Sequence, residues 1–248
     1  MASYKTYEEY VKKDPGARRS RQSVHRSIQM GTFLIIVCCF AVVISARIQH
    51  RNSFVYSDHQ EETAINIDDY GVTFKQFGYY VIETERRINQ EALAYDYDNP
   101  SKYWKLYLKS GEQSAYISTL AREEAYMECV VDFLYADEAI ANNYGLTDED
   151  RKAARKEADD FISLMTERAR TVTGLTDEDI YNMALRKQLA TSYANYLLKN
   201  TDWSDNVLSP SSRMNYNGDY FQDTILAAHK VSKGSHFGSI KFGTVTVN

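Results

Sequence analysis

The sequence contains few of the residues that interrupt regular structure. Three prolines and eleven glycines occur in 248 residues. So few turn formers favour long helices over an all-β sandwich, which needs a turn every 8 to 12 residues or so. The sequence also lacks the G-x-S-x-G, P-loop and dinucleotide-binding motifs. It therefore predicts a mainly α protein and shows no catalytic signature.

Cysteine and histidine are scarce as well. Cys38 and Cys39 lie inside an apolar run, which leaves Cys129 as the one cysteine elsewhere and excludes a disulfide framework. No two of the five histidines have the i, i+4 spacing of a helical zinc site. We interpret the histidines as surface residues and predict neither a metal nor a cofactor.

Charge is missing altogether from residues 27–46, where the apolar run lies. The segment 28–48 has the roughly 20 residues that a helix needs to cross a bilayer. Residues 1–30 carry seven Lys and Arg against three Asp and Glu, and the positive-inside rule puts such a segment in the cytoplasm. We predict a cytoplasmic tail (1–27) and a single-pass signal anchor (28–48) in the cell membrane. The alternative is a cleaved signal peptide.

The rest of the chain is acidic. Beyond residue 30 it holds 22 Lys and Arg against 31 Asp and Glu, and a surface of that sign repels phosphate backbones. Nucleic acid is therefore excluded as a partner. A polar linker is predicted over 49–62, followed by one extracytoplasmic domain over 63–248.

Two segments of this domain have the alternating pattern of strands. One is 63–67 and the other is 239–247, near the end of the chain. We see no other convincing strand, and a lone strand leaves its backbone groups unpaired. The two segments are therefore predicted to pair as a two-stranded element, with these residues buried: Ile65, Ile67, Ile240 and Phe242.

Helix starts are marked by capping signals. Thr73 is followed three residues later by Gln76, which predicts a capping box. The phrase Gly-Leu-Thr-Asp-Glu-Asp occurs at 145–150 and again at 174–179. In each copy the glycine is expected to end one helix in the left-handed conformation, and the threonine, Thr147 or Thr176, to cap the next.

These phrases resemble a known family. "Val-Thr-Phe-Lys-Gln-Phe-Gly-Tyr-Tyr" (72–80) and "Asn-Asn-Tyr-Gly-Leu-Thr-Asp-Glu-Asp" (142–150) are similar to the peptide-binding domain of SurA-like and PrsA-like extracytoplasmic foldases. "Gly-Leu-Thr-Asp-Glu-Asp-Ile-Tyr" (174–181) resembles the next element of that domain. The resemblance covers about 63–200, with a weaker match at 237–243. It implies a helical body like the SurA N-terminal domain.

The same resemblance implies a function. Family members that are prolyl isomerases carry a parvulin domain after these helices, whereas only 201–218 stands there in this chain. We therefore expect a chaperone-like protein without isomerase catalysis, which binds unfolded or secreted polypeptides. The alternatives are a scaffold that holds one fixed protein partner of an envelope complex and, less favoured, an active peptidyl-prolyl isomerase.

Aromatic residues supply the candidate binding site. Eight Tyr and Trp residues fall between 79 and 116, and both types are favoured at binding surfaces. Tyr80, Trp104 and Tyr107 are the predicted peptide-binding residues, and no catalytic residue is predicted. The alternative is that most of these rings are packing residues.

Overall fold

A mainly α body is built from six α-helices in the described part of the chain. The computed structural model describes residues 54–110, 113–203 and 209–246. The helices are α1 (Phe74–Tyr95), α2 (Ile117–Ala141), α3 (Asp148–Ser163), α4 (Glu167–Thr173), α5 (Asp177–Asn200) and α6 (Pro210–Met214). Helix α5 packs against α2 and α3, and α1 packs against α2. The predicted mainly α class is confirmed.

Helix α2 lies at the centre of the core. Its side chains are buried on several sides, including Cys129, Phe133, Leu134 and Ala136. A helix that is apolar on more than one face must lie between neighbours rather than on a surface. Helix α2 accordingly has no single apolar stripe.

The predicted helix caps are present. Thr73 caps α1 and forms the capping box with Gln76. Thr147 and Thr176 cap α3 and α5, and the N3 aspartate of each helix accepts a hydrogen bond from the backbone N–H of the threonine. Three acids in the first turn of both helices face the positive end of the helix dipole.

The two copies of the repeated phrase differ at the helix end that precedes them. Gly174 has the expected left-handed conformation, with φ of 71°. In the other copy that conformation belongs to Asn143, with φ of 55°, because α2 already ends at Ala141. The prediction for Gly145 was therefore wrong. Asparagine is one of the few residues other than glycine that adopt this conformation, because its short polar side chain can form local hydrogen bonds.

Within the described residues, five strands form two small sheets. They are β1 (Thr63–Ile67), β2 (Tyr70–Thr73), β3 (Tyr107–Ser110), β4 (Gln113–Tyr116) and β5 (Val231–Lys233). The order of the three-stranded sheet is β2-β1-β5, and both pairings are antiparallel. Strands β3 and β4 form a separate antiparallel pair.

The predicted pairing of 63–67 with 239–247 was wrong. Strand β1 exists as predicted, but its partners are β2 and β5. Residues 240–246 form turns and irregular backbone instead of a strand. The burial was nevertheless predicted correctly, since Ile65, Ile67, Ile240 and Phe242 are all buried. Alternation of apolar residues thus indicated which side chains face the core, but not which backbone groups pair.

Part of the predicted linker belongs to the folded body. Tyr56 is buried, and its hydroxyl donates to the carbonyl of Phe74 over 2.6 Å. The predicted tail (1–27), the predicted span (28–48) and residues 49–53 lie outside the described residues. None of the helices that the structure describes is both long enough and apolar enough to cross a membrane.

Candidate functional site

A cleft of about 890 Å³ lies among α1, α2, α3 and α5, and α6 with the turn after it also contributes to its lining. Clefts of this size between bundled helices are common ligand sites. Three of the helices that form it, α1, α3 and α5, begin at a capping box, so local sequence fixes where they start. Their mutual packing then brings one face of each to the cleft.

Asp132 of α2 and Tyr80 of α1 meet in the cleft. The Tyr80 hydroxyl donates to Oδ2 of Asp132 over 3.1 Å. Burial raises the pKa of Asp132 to about 7, and this outweighs the opposing influence of the nearby Lys187 ammonium and of the Tyr80 hydrogen bond. The cleft therefore contains a carboxyl group that titrates near neutral pH.

Lys187 of α5 bridges two other helices. Its Nζ lies 2.5 Å from Oε1 of Glu83 on α1 and 3.0 Å from Oε1 of Glu157 on α3. The Tyr79 hydroxyl donates to the same Glu157 oxygen over 3.0 Å. Burial alone would lower the pKa of Lys187, but the two carboxylates together raise it above its ordinary value. Lys187 is therefore a charged bridge between helices rather than a neutral amine available as a nucleophile.

A second group of charges lies where α1 faces α2. Arg87 reaches Glu124 over 2.9 Å and Glu128 over 3.5 Å. Thr84 also donates to Glu128, over 3.4 Å. Burial raises the pKa of Glu128, and the nearby carboxylates Glu83 and Glu124 add to that rise, whereas Arg87 opposes it.

Acidic groups outnumber basic ones in the lining. The charged residues are Glu83, Glu124, Glu128, Asp132, Glu157, Asp160, Arg86, Arg87 and Lys187. Six carboxyl groups thus face three cationic groups. A concave surface with an excess of one sign concentrates counter-charged ligands. The cleft accordingly favours a cationic ligand.

Apolar side chains supply the rest of the lining. Val131, Phe161 and Leu198 line the cleft together with Met127. Leu164 is 63% exposed, so this part of the wall is open to solvent. Methionine is flexible and polarisable, and it adapts to ligands of different shape. Neither cysteine nor histidine occurs among the described residues that line the cleft, so the cleft offers charge and apolar surface rather than a thiol or an imidazole.

The three predicted binding residues are not brought together. Tyr80 lines the cleft, although it is 1% exposed. Trp104 is buried outside the cleft, and its Nε1 donates to Asn89 over 2.9 Å. Tyr107 is exposed on β3, where its ring lies 5.1 Å from that of Tyr116. Trp104 thus serves the core, and Tyr107 lies on a separate surface.

Sequence reasoning missed the acidic face of α2. Glu124, Glu128 and Asp132 recur every four residues, which places them on one side of a helix. That spacing was the available signal, but it is also the ordinary pattern of a solvated helix face. Only the packing of α1 and α5 beside it turns the pattern into a cleft.

Comparison of the chain with protein-family models, with curated proteins and with solved structures gives no match. The resemblance to SurA-like and PrsA-like foldases therefore rests on the sequence phrases quoted above.

Proposed function

We propose that this protein is a membrane-anchored, extracytoplasmic polypeptide-binding protein, chaperone-like and without isomerase catalysis, and that it binds its clients in the cleft among α1, α2, α3 and α5. The observation that supports the proposal is the composition of the cleft. An excess of carboxyl groups lies beside an apolar wall that is partly open to solvent. The preferred client segments then combine Lys or Arg with apolar side chains.

Physical chemistry favours a flexible segment over a rigid small molecule. The charged groups of the lining come from four helices and are largely paired with one another, as Lys187 is with Glu83 and Glu157, so they give charge preference more than a fixed orientation. An adaptable apolar wall suits many sequences of similar composition. Weak binding to many clients is the behaviour required of a chaperone.

Binding of fluorescent peptides to the purified full chain in detergent micelles tests the proposal. Two matched pairs of exposed residues separate the cleft from the rest of the surface. Asp160 and Leu164 line the cleft, whereas Asp159 and Ile140 lie outside it. The first pair of variants is Asp160→Asn with Asp159→Asn as its control, and the second pair is Leu164→Ser with Ile140→Ser as its control. For a peptide of alternating Lys and Leu, we expect Asp160→Asn to weaken binding about 2- to 5-fold and Leu164→Ser up to about 10-fold.

The two control variants should bind like the wild type. Equal affinities across all four variants would exclude the cleft as the binding site. Suppression of the aggregation of several unrelated unfolded proteins is the expected activity of the full chain. A single partner recovered in fixed ratio, without any suppression, would favour the scaffold alternative, and turnover of a proline tetrapeptide would favour an isomerase.

The anchoring part of the proposal rests on the uncharged stretch 27–46 within the predicted span and on the basic residues that precede it. Protease added to intact cells should remove the domain and leave a small membrane-bound fragment. A mature protein that begins near Arg47 would contradict the anchor and support a cleaved signal peptide.

A further inference from the structure

Two histidines from opposite ends of the body meet at one carboxylate. His59, Glu62 and His236 each offer one ligand atom, and these atoms all lie within 4.8 Å of one another. The sequence predicts surface histidines, and both side chains are at least partly exposed. Their proximity comes from the fold, because they lie far apart in the sequence.

The spacing suits a small tetrahedral ion. Nδ1 of His59 lies 2.9 Å from Oε1 of Glu62, and Nε2 of His236 lies 3.8 Å from Oε2 of the same carboxylate. Zinc bonds of about 2.0 to 2.1 Å at tetrahedral angles put neighbouring ligand atoms about 3.4 Å apart. The two observed distances, each to a different oxygen of Glu62, fall on either side of that value, and all three ligand atoms lie within 4.8 Å of one another.

The backbone holds these residues in place from both sides of the sheet. The N–H of Glu62 donates to the carbonyl of His59 in a turn just before β1. After β5, the N–H of Gly234 donates to the carbonyl of Ala64 over 2.8 Å. A Cβ atom on Gly234 would lie 2.1 Å from the Thr63 carbonyl oxygen, so only glycine permits this approach. His236 follows two residues later and is thereby set beside Glu62.

One atom of the cluster lacks a hydrogen-bond partner. Nδ1 of His59 is buried and makes no hydrogen bond to any described residue, although Oε1 of Glu62 lies 2.9 Å away. Buried polar atoms normally have partners. The ring of Phe54 stacks on His59 at 4.8 Å, with 11° between the planes, and restrains the imidazole. The imidazole is thus held with Nδ1 towards the Glu62 carboxylate and without a hydrogen bond, which leaves this nitrogen able to bind a metal ion.

We propose that His59, Glu62 and His236 form a binding site for Zn²⁺, with water as the fourth ligand. Two imidazoles and one carboxylate are the ligand types that zinc prefers, whereas calcium and magnesium require more oxygen atoms. Glu62 and His236 are about half exposed, so the ion has a path from solvent. The bound ion joins the turn before β1 to the turn after β5 and stabilises the closure of the sheet. This site is separate from the cleft and does not depend on the proposed function.

Zinc titration of the full chain tests the proposal, with the protein purified in detergent without a histidine tag. Two complementary variants separate the site from the other three histidines. His25→Ala/His50→Ala/His229→Gln keeps the site, and His59→Ala/His236→Ala removes it. We expect one Zn²⁺ per chain in the wild type and the first variant, and an affinity at least about 100-fold lower in the second. At a zinc concentration 100-fold above Kd, Tm should rise by about 5 to 10 °C.

Two further readouts address a variant that fails to fold. Glu62→Gln changes an exposed side chain and should lower the affinity at least about tenfold while circular dichroism stays unchanged. Co²⁺ in place of Zn²⁺ should give the visible absorption of a four-coordinate or five-coordinate ion in the wild type and lose it in Glu62→Gln. Equal zinc affinity in the wild type and His59→Ala/His236→Ala, or the absence of saturable binding, would overturn the proposal.

Discussion

Substitution of Glu85 tests how the end of the body is held. Glu85 lies on α1 and is 0% exposed. Its carboxylate accepts hydrogen bonds from the backbone N–H groups of Gly243, Thr244, Val245 and Thr246, at 2.7, 3.2, 3.1 and 2.7 Å, and from the Thr246 hydroxyl at 2.8 Å. The carboxylate thus provides the partners that a neighbouring strand would otherwise provide.

Glu85→Ala removes all of these bonds at once. Each hydrogen bond to a charged group contributes about 1.5 to 3 kcal/mol, but bonds that share two oxygens do not add up independently. Residues 243–246 are also close to the surface, so the freed N–H groups can bind water instead. To do so they must move outward, which exposes the buried side chain of Val245. We therefore expect a loss of about 3 to 5 kcal/mol in the free energy of unfolding, which lowers Tm by about 6 to 20 °C.

Matched variants on the same helix make the measurement specific. Glu85→Gln keeps one acceptor oxygen but puts an NH₂ group against the donors of Thr246. We therefore expect it to lower the free energy of unfolding by about half as much as Glu85→Ala does. Glu91→Ala removes an exposed glutamate that bonds to the Tyr103 hydroxyl, and it should cost less than about 1 kcal/mol.

Urea unfolding and amide hydrogen exchange of the full chain measure the effect. Amides 243–246 should be protected in the wild type and exchange rapidly in Glu85→Ala. If Glu85→Ala is no more destabilising than Glu91→Ala, and the amides stay protected, then the carboxylate does not hold the segment and this account is wrong.

Three further predictions concern the caps and the cleft. Thr147→Ala and Thr176→Ala should each lower the free energy of unfolding by about 1 kcal/mol, nearly additively because they cap different helices; an unchanged urea midpoint would contradict the cap assignment. Because the pKa of Asp132 is about 7 in the folded protein and about 3.9 in an unfolded chain, the folded state retains a proton that the unfolded state has lost between about pH 4 and 7. The contribution of Asp132 to stability therefore falls as pH rises through that window, and Asp132→Asn should flatten the dependence of the urea midpoint on pH. Equal slopes would show that Asp132 does not titrate there. Lys-rich peptides should bind the wild type more tightly at pH 8 than at pH 6, because Asp132 gains its charge in that range.

Short-range signals predicted the helical part of the fold. The capping boxes at Thr73, Thr147 and Thr176 depend on residues three apart, and a helix start forms the same contacts whatever surrounds it. The helix ends were predicted less reliably than the helix starts. The left-handed glycine was predicted correctly at Gly174 but not at Gly145, because α2 ends earlier, at Ala141, and Asn143 has the left-handed conformation.

The surroundings of the three candidate binding residues could not be predicted from the sequence, because exposure is not a local property. Tyr80, Trp104 and Tyr107 look alike as aromatic residues in the sequence, yet the first lines the cleft, the second is buried in the core and the third is exposed on a hairpin. The polar atom of each side chain has its hydrogen-bond partner in a different part of the structure. Which environment a tyrosine or tryptophan enters depends on the neighbouring elements, and these come from distant parts of the chain.

The sequence by itself determined the fold class, the positions of the three capping boxes, the strand at 63–67 and the burial of Ile65 and Ile67. Tertiary structure alone decided the partners: which strands flank β1, which helix faces form the cleft, and how His59 comes to lie beside His236. The physical reason is that a backbone N–H is satisfied equally well by a strand or by a buried carboxylate. The end of the chain has the pattern of a strand, but its amides at 243–246 bond to Glu85, and no local pattern distinguishes the two outcomes.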